Sequence, residues 1–214
     1  MIKAFIFDSD GVLVDTEAVN EQAYFEVVQK AGITPLTSEE YKEYSGLTGR
    51  EFLQRVLEKR GVDKDPASLA KEKTRRAIEL LSQKDIPVFE GVRELLSALK
   101  DRGLKIGVAT SASKERAQMI FSETGLGKAV DVIVTGGDIR HGKPNPEIFL
   151  LAAERLQIQP EEVIVIEDAT AGVEAAKTAG MFCIGKDNHV GQDLTKADLI
   201  VESLTELDLD QLLS

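Results

Sequence analysis

The chain has 214 residues, 43% of them hydrophobic and 29% charged, ordinary globular proportions that exclude a disordered, collagen-like or coiled-coil protein. Lysine and arginine number 26 against 37 aspartates and glutamates, a net charge of −11 that opposes non-specific attraction to nucleic acid or to anionic membrane. The one cysteine, Cys183, excludes an internal disulfide framework and lies between Phe182 and Ile184, as a buried strand thiol would.

Residues 4–7 (Ala-Phe-Ile-Phe) form a short apolar run that stops at Asp8-Ser9-Asp10-Gly11, the pattern of a buried parallel strand ending in a polar loop. So early an aspartate leaves no secretory hydrophobic region, and no later apolar run approaches the roughly 20 residues of a membrane span. A cytoplasmic monomer without membrane or nucleic-acid partners is expected. Residues 17–84 carry helical patterns (Val19, Ala23, Val27, Ala31; Phe52, Leu53, Val56, Leu57; Leu69, Ala77, Ile78, Leu81) and no convincing strand. From residue 91 onward, strands over 104–109, 130–134 and 163–166, with weaker ones near 182–184 and 199–201, alternate with helical periods. Those periods are Val92, Leu95, Leu96, Leu99, then Ala117, Ile120, Phe121, then Ile148, Leu151, Ala152, Leu156. Ser113 and Asn145-Pro146 are suited to start helices, and Gly103, Gly125 and Gly180 to stop them. The alternation predicts an α/β fold: a Rossmann-like parallel-sheet core with helices on both faces, formed by residues 1–15 and 86–214. An all-helical cap domain over 16–85 is inserted, joined by two crossings near 13–16 and 84–90 that make a natural hinge.

Ligands of open parallel sheets bind beyond the carboxyl ends of the strands. The strand ends here deliver Asp8 and Asp10, Thr110 and Ser111, Lys143, and Glu167 and Asp168. Carboxylates of this number suit Mg²⁺, and hydroxyls with a lysine suit a phosphate. The sequence supplies its own controls: Asp63/Asp65 and Asp208/Asp210 have the same spacing, yet neither follows an apolar strand nor precedes glycine, whereas Asp8/Asp10 does both. His141, between Arg140 and Gly142, is read as a solvated loop residue.

Asp8-Ser9-Asp10-Gly11-Val12-Leu13-Val14-Asp15-Thr16-Glu17 closely resembles the first motif of the haloacid dehalogenase-like phosphohydrolases. Val108-Ala109-Thr110-Ser111, Gly142-Lys143-Pro144-Asn145-Pro146 and Ile166-Glu167-Asp168-Ala169-Thr170-Ala171-Gly172 resemble the second, third and fourth in order. The resemblance implies that Asp8 attacks phosphorus to form an aspartyl-phosphate, and that Asp10 protonates the leaving alcohol and then activates water. It implies Mg²⁺ held by Asp8, Asp168 and the backbone carbonyl of Asp10, with Glu167 a direct or an indirect partner. Lys143, the Thr110 hydroxyl and the Ser111 amide would bind the phosphoryl oxygens.

Ser45-Gly46-Leu47-Thr48-Gly49-Arg50-Glu51 reads as a glycine-bearing turn between helices and looks like the specificity loop of the helical-cap subfamily. Arg50 is expected to touch the leaving group, with Gly46 giving the backbone close approach to the core. The nearest group in appearance is beta-phosphoglucomutase-like. Where its mutases carry a histidine in the first cap helix, this sequence has Asn20, which cannot do histidine's proton work. The resemblance therefore implies a phosphatase acting on a small phosphorylated metabolite, a sugar phosphate. A phosphomutase is the alternative, and a phosphoacceptor signalling module, normally half this length, a remote one. Arg75 and Arg76 could reach a second anionic group, although paired helix arginines are ordinarily a solvated face. Asp15 sits near the first crossing.

Overall fold

The computed structural model of the chain describes residues 1–213. After β1 (Ala4–Phe7) come α1 (Glu17–Lys30), α2 (Ser38–Glu43), α3 (Gly49–Arg60), α4 (Pro66–Leu81) and α5 (Val92–Asp101). There follow β2 (Lys105–Thr110), α6 (Lys114–Glu123), β3 (Val132–Thr135), α7 (Glu147–Leu156), β4 (Val163–Glu167), α8 (Thr170–Thr178), β5 (Phe182–Lys186), β6 (Leu199–Val201) and α9 (Leu209–Leu212). The strands form one sheet in the order β3-β2-β1-β4-β5-β6, every pair parallel. Chain direction across the sheet reverses between β1 and β4, and the crevice outside that switch point is where such sheets bind ligands.

The strands are apolar on both sides because both faces are covered. Phe5 and Phe7 of β1 and Ile164 and Ile166 of β4 pack with Leu95, Leu96 and Leu99 of α5 and Ile120 of α6. Their neighbours Ala4, Ile6, Val163 and Val165 face the other way, against Ile148, Phe149 and Ala152 of α7 and Val173 and Ala176 of α8. Cys183 lies in this second layer, and burial pushes its thiol up to about 12, which makes it an inert core residue. Among the described residues no helix is long and apolar enough to cross a membrane.

Helices α1 to α4 gather round a core of their own, in which Tyr24 stacks on Phe52 at 3.9 Å between ring centroids and Val28, Leu53 and Val56 close the interior. Helix α2 is absent from the sequence reading, because six residues with one buried side chain, Tyr41, give no period to see. Its signal is at the start: Thr37 accepts from the Glu40 amide while Glu40 accepts from the Thr37 amide, a reciprocal capping box. The same device at Thr48 and Glu51 begins α3 at Gly49. This corrects the reading of 45–51 as one turn, since Arg50 and Glu51 belong to the first turn of α3.

The two crossings run side by side. Asp15 donates its amide to the Pro87 carbonyl at 2.9 Å, Phe89 donates to the Leu13 carbonyl at 3.1 Å, and Val14 pairs antiparallel with Val88. A two-stranded ribbon thus carries the helical insert.

Candidate active site

The first strand delivers Asp8 to the crevice as its last polar consequence: β1 ends at Phe7, and the Asp8 amide still bonds the Ile166 carbonyl of β4 at 2.9 Å. Lys143 arrives from the loop before α7 and is 1% exposed. A buried ammonium must be paired. Its Nζ donates to Asp8 Oδ1 at 2.5 Å, to the Ala109 carbonyl at 3.2 Å and to Glu167 Oε1. Burial works against its charge, but Asp8 and Glu167 outweigh burial and hold the lysine protonated well above its ordinary value. Burial likewise pushes the Asp8 carboxyl up to about 7 against the pull of Lys143, with Glu167 and Asp10 adding to the rise.

Glu167 uses both oxygens inside the protein. Oε1 takes Lys143, and Oε2 accepts the Asp168 amide at 2.8 Å and the Ala169 amide at 3.0 Å. A methyl on Gly172 would stand 1.9 Å from the Glu167 carboxyl carbon, so the glycine is what lets α8 start beside it.

Asp10 faces a partner that the sequence reading did not single out. Arg116 of α6, 3% exposed, reaches both Asp10 oxygens, at 3.2 Å to Oδ2 and more closely to Oδ1, and Thr16 donates its hydroxyl to Oδ1. Burial opposes ionisation of Asp10, yet Arg116 and Thr16 hold its carboxyl below the usual carboxylate range. Beside this group, Lys73 of α4 donates to Asn20 Oδ1 and lies 4.1 Å over the Tyr24 ring, while Asn20 donates to the Tyr41 hydroxyl at 2.9 Å and Tyr41 to Glu17 at 2.8 Å. Burial and the nearby Arg116 bring Lys73 down to about 7. Both cations left a trace in the sequence: Lys73 interrupts the i, i+4 row of Leu69, Ala77 and Leu81, and Arg116 stands one turn before Ile120.

Asp168 completes the acidic end of the crevice. Burial, Glu167 and Asp8 push its carboxyl well above the ordinary value, the signature of like charges crowded without enough compensation. Gly11 is indispensable to this packing: its φ is +82°, and a methyl there would stand 1.9 Å from Asp168 Oδ2. Among the described residues no three metal-ligating side chains group closely enough to hold an ion alone. Asp8, Asp168 and the Asp10 carbonyl are nevertheless hard oxygen donors, and two carboxylates and a carbonyl with solvent fit Mg²⁺, which keeps several waters.

These groups form the floor of a cleft of about 1380 Å³ roofed by the helical insert, whose lining includes Asn20, Gly46, Arg50, Thr110 and Ser111. Thr110 is 1% exposed, with its hydroxyl accepting the Ala112 amide at 3.1 Å. Ser111 donates its hydroxyl to the Gly46 carbonyl at 2.6 Å, and the Gly142 amide donates to Glu51 at 2.9 Å, so segment 46–51 of the insert is bonded to the core at two points. Gly46 has φ +90° and would bring a side-chain carbon within 3.1 Å of Ala171, so only glycine passes this close. Arg50 is exposed at the rim. Arg76 is paired with Glu26 and Glu79, and Arg75 with Glu79, the solvated face expected of them. His141 is exposed, its backbone amide bonded to Glu147.

The haloacid dehalogenase-like hydrolase family matches residues 5–186. The chain is 39% identical over 184 residues to the phosphorylated carbohydrates phosphatase of Thermotoga maritima, covering 84% of this chain and 82% of that one. It is 32% identical over 217 residues to the beta-phosphoglucomutase of Bacillus subtilis, covering 99% and 94%. The crystal structure of beta-phosphoglucomutase from Clostridium difficile superposes with a TM-score of 0.89 at 31% identity, covering 100% of this chain and 96% of that one.

Proposed function

Because the chain belongs to the haloacid dehalogenase-like hydrolases, in their beta-phosphoglucomutase-like group, we propose that it is a Mg²⁺-dependent phosphatase of a small phosphomonoester, a sugar phosphate. The observation that carries the reading is Lys143, buried and bonded at once to Asp8 and Glu167 beneath the cleft. A fixed positive charge against the nucleophile is what an incoming phosphoryl group requires.

Asp8 attacks phosphorus, and the phosphoryl group passes to its carboxylate as an aspartyl ester while the P–O bond to the substrate alcohol breaks. Lys143 offsets charge between Asp8 and the phosphoryl oxygens, and the Thr110 hydroxyl and Ser111 amide bind those oxygens. Asp8, Asp168 and the Asp10 carbonyl would hold Mg²⁺, which when bound would neutralise charge at the phosphoryl oxygens. Glu167 acts indirectly, aiming Lys143 and the 168–169 amides. Asp10, in its bonds to Arg116 and Thr16, is turned to its partners as a base. To hand a proton to the leaving oxygen it must exchange those bonds for the substrate; Thr16 stands at the start of the insert, so movement of residues 16–85 relative to the core of 1–15 and 86–214, with the paired crossings as hinge, would supply the occasion.

Asn20 favours hydrolysis over mutase chemistry. Both ends of its amide are engaged, with Lys73 and Tyr41, and an amide does not titrate. Gly46 and Arg50 are read as specificity residues at the cleft wall and rim. A screen of phosphorylated metabolites with Mg²⁺ present, following free phosphate, tests the proposal. Release from at least one sugar phosphate is expected; no release from any phosphomonoester by folded protein would overturn it. Isomerisation of glucose 1-phosphate, primed by a bisphosphate and faster than phosphate release, would establish the mutase instead.

A further inference from the structure

We propose that Lys186 and Asn188, at the end of β5 and two residues beyond it, are positioning residues that aim Asp168 and the Asp10–Gly11 turn at the cation; the inference rests on the Mg²⁺ reading above. The Asn188 amide nitrogen has two hydrogens and uses both, one on Asp168 Oδ2 at 2.9 Å and one on the Gly11 carbonyl at 2.9 Å. An asparagine amide can be turned either way in principle. Lys186 fixes the choice: its ammonium has donors only, and it donates to Asn188 Oδ1, so the nitrogen must face Asp168.

Lys186 also donates to the Gly11 carbonyl, at 3.1 Å, and stands 3.7 Å over the Phe89 ring. It is 3% exposed on a strand whose other inward residues are apolar. Burying an ammonium is costly unless its bonds are good ones, and the phosphoryl chemistry at Asp8 makes no use of it. What the pair accomplishes is local. Two donors clamp the carbonyl that follows Asp10, and one of them ties it to the carboxylate lying against Gly11. The Asp10 carbonyl and Asp168, which enter from separate strands, are thereby locked in one relative geometry. Partners that orient ligands in this way commonly carry 10- to 100-fold of metal affinity.

The test is calorimetric titration of Mn²⁺ and Mg²⁺ into chelator-stripped full-length protein, with circular dichroism to establish folding. Asn188→Leu keeps the volume of a half-exposed side chain and removes both donors. It is expected to raise the cation Kd by about 10- to 100-fold. A folded Asn188→Leu protein whose Kd stays within about twofold of wild type would overturn the inference. Lys186→Met gives a test of sign. Removing a positive charge near a cation site should tighten binding by simple electrostatics, whereas losing the group that orients Asn188 should weaken it. Weaker binding is expected, and tighter or unchanged binding would overturn the part given to Lys186. If wild-type protein bound neither cation, the Mg²⁺ reading would fall and this inference with it.

Discussion

Burial opposes the ionisation of Asp10, two residues from the proposed nucleophile Asp8, and the cation that keeps it ionised is Arg116. The pair is nearly dry, with side-chain exposures of 3% for Arg116 and 14% for Asp10. Removing one member of such a pair leaves the other buried and uncompensated. Arg116→Met is therefore expected to lower stability by about 3–5 kcal/mol, read as a shifted urea midpoint. The folded-state value of Asp10 lies below its ordinary 3.8, so the pair's contribution is complete above that pH and lost as pH falls below it. Asp8, the proposed nucleophile, behaves differently on substitution. In Asp8→Asn the amide keeps the shape of the site and Lys143 retains Glu167 as partner, so the protein should fold and release no phosphate. Turnover at the wild-type rate would remove Asp8 from the mechanism. Asp10→Asn should slow turnover by roughly 10²- to 10⁴-fold, the worth of a positioned acid or base, and less than threefold on an unactivated substrate would take that role from it.

Among the elements, the short helix α2 depends on its ends more than on its length. Six residues do not sustain a helix in water, and what fixes α2 is the Thr37–Glu40 capping box together with Arg60 at the end of α3. Arg60 donates to the Thr34 carbonyl at 2.8 Å, to the Pro35 carbonyl at 3.0 Å and to Glu40 at 2.7 Å. The Arg60 bond and the Thr37 amide hold the Glu40 carboxyl down at about 2, against 4.5 ordinarily. A lowered folded-state value means stability that is whole above about pH 4.5 and drains away as pH falls toward 2. Glu40→Gln is expected to cost about 1.5–3 kcal/mol at pH 7, the worth of hydrogen bonds to a charged group, and to flatten the acid limb of a stability-against-pH curve. An acid limb as steep as the wild type's would assign that loss elsewhere.

Across the whole molecule, a protein of net charge −11 is read as recruiting an anionic substrate, and the crowding of Asp8, Glu167 and Asp168 makes the cleft floor more acidic still. Lys143 bonds Asp8 and Glu167 but not Asp168, whose carboxyl burial and the neighbouring acids push up. A divalent cation binding only the folded protein should therefore raise the melting temperature in proportion to RT ln(1 + [M]/Kd), about 2.7 kcal/mol at a hundred times Kd. Melting followed by differential scanning fluorimetry with and without Mg²⁺ checks this, and the same samples treated with EDTA are expected to lose phosphate release and regain it on adding Mg²⁺. A melting temperature indifferent to Mg²⁺, with activity surviving exhaustive chelation, would exclude the cation from the site.

Local pattern by itself determined the sheet and the acids at its rim. Apolar runs ending in polar turns mark β1, β2 and β4, and each run is short enough that its last residue must be a strand end; Asp8, Thr110, Glu167 and Asp168 follow directly. Glycine after Asp10 was legible as a turn, and the Cys183 thiol as core. Tertiary structure alone decided which charges meet. Arg116 and Asp10 are 106 residues apart and Lys186 and Gly11 are 175 apart, and no local period records a partner at that distance. A helical period can place a lysine or arginine on the inner face but cannot name its partner, because the carboxylate or carbonyl that makes its burial tolerable comes from another element. The pairing of the two crossings, the turn of Glu167 away from solvent, and the Lys186–Asn188 clamp on Gly11 all have this character: the residues are local, but their energies exist only once the sheet has brought them together.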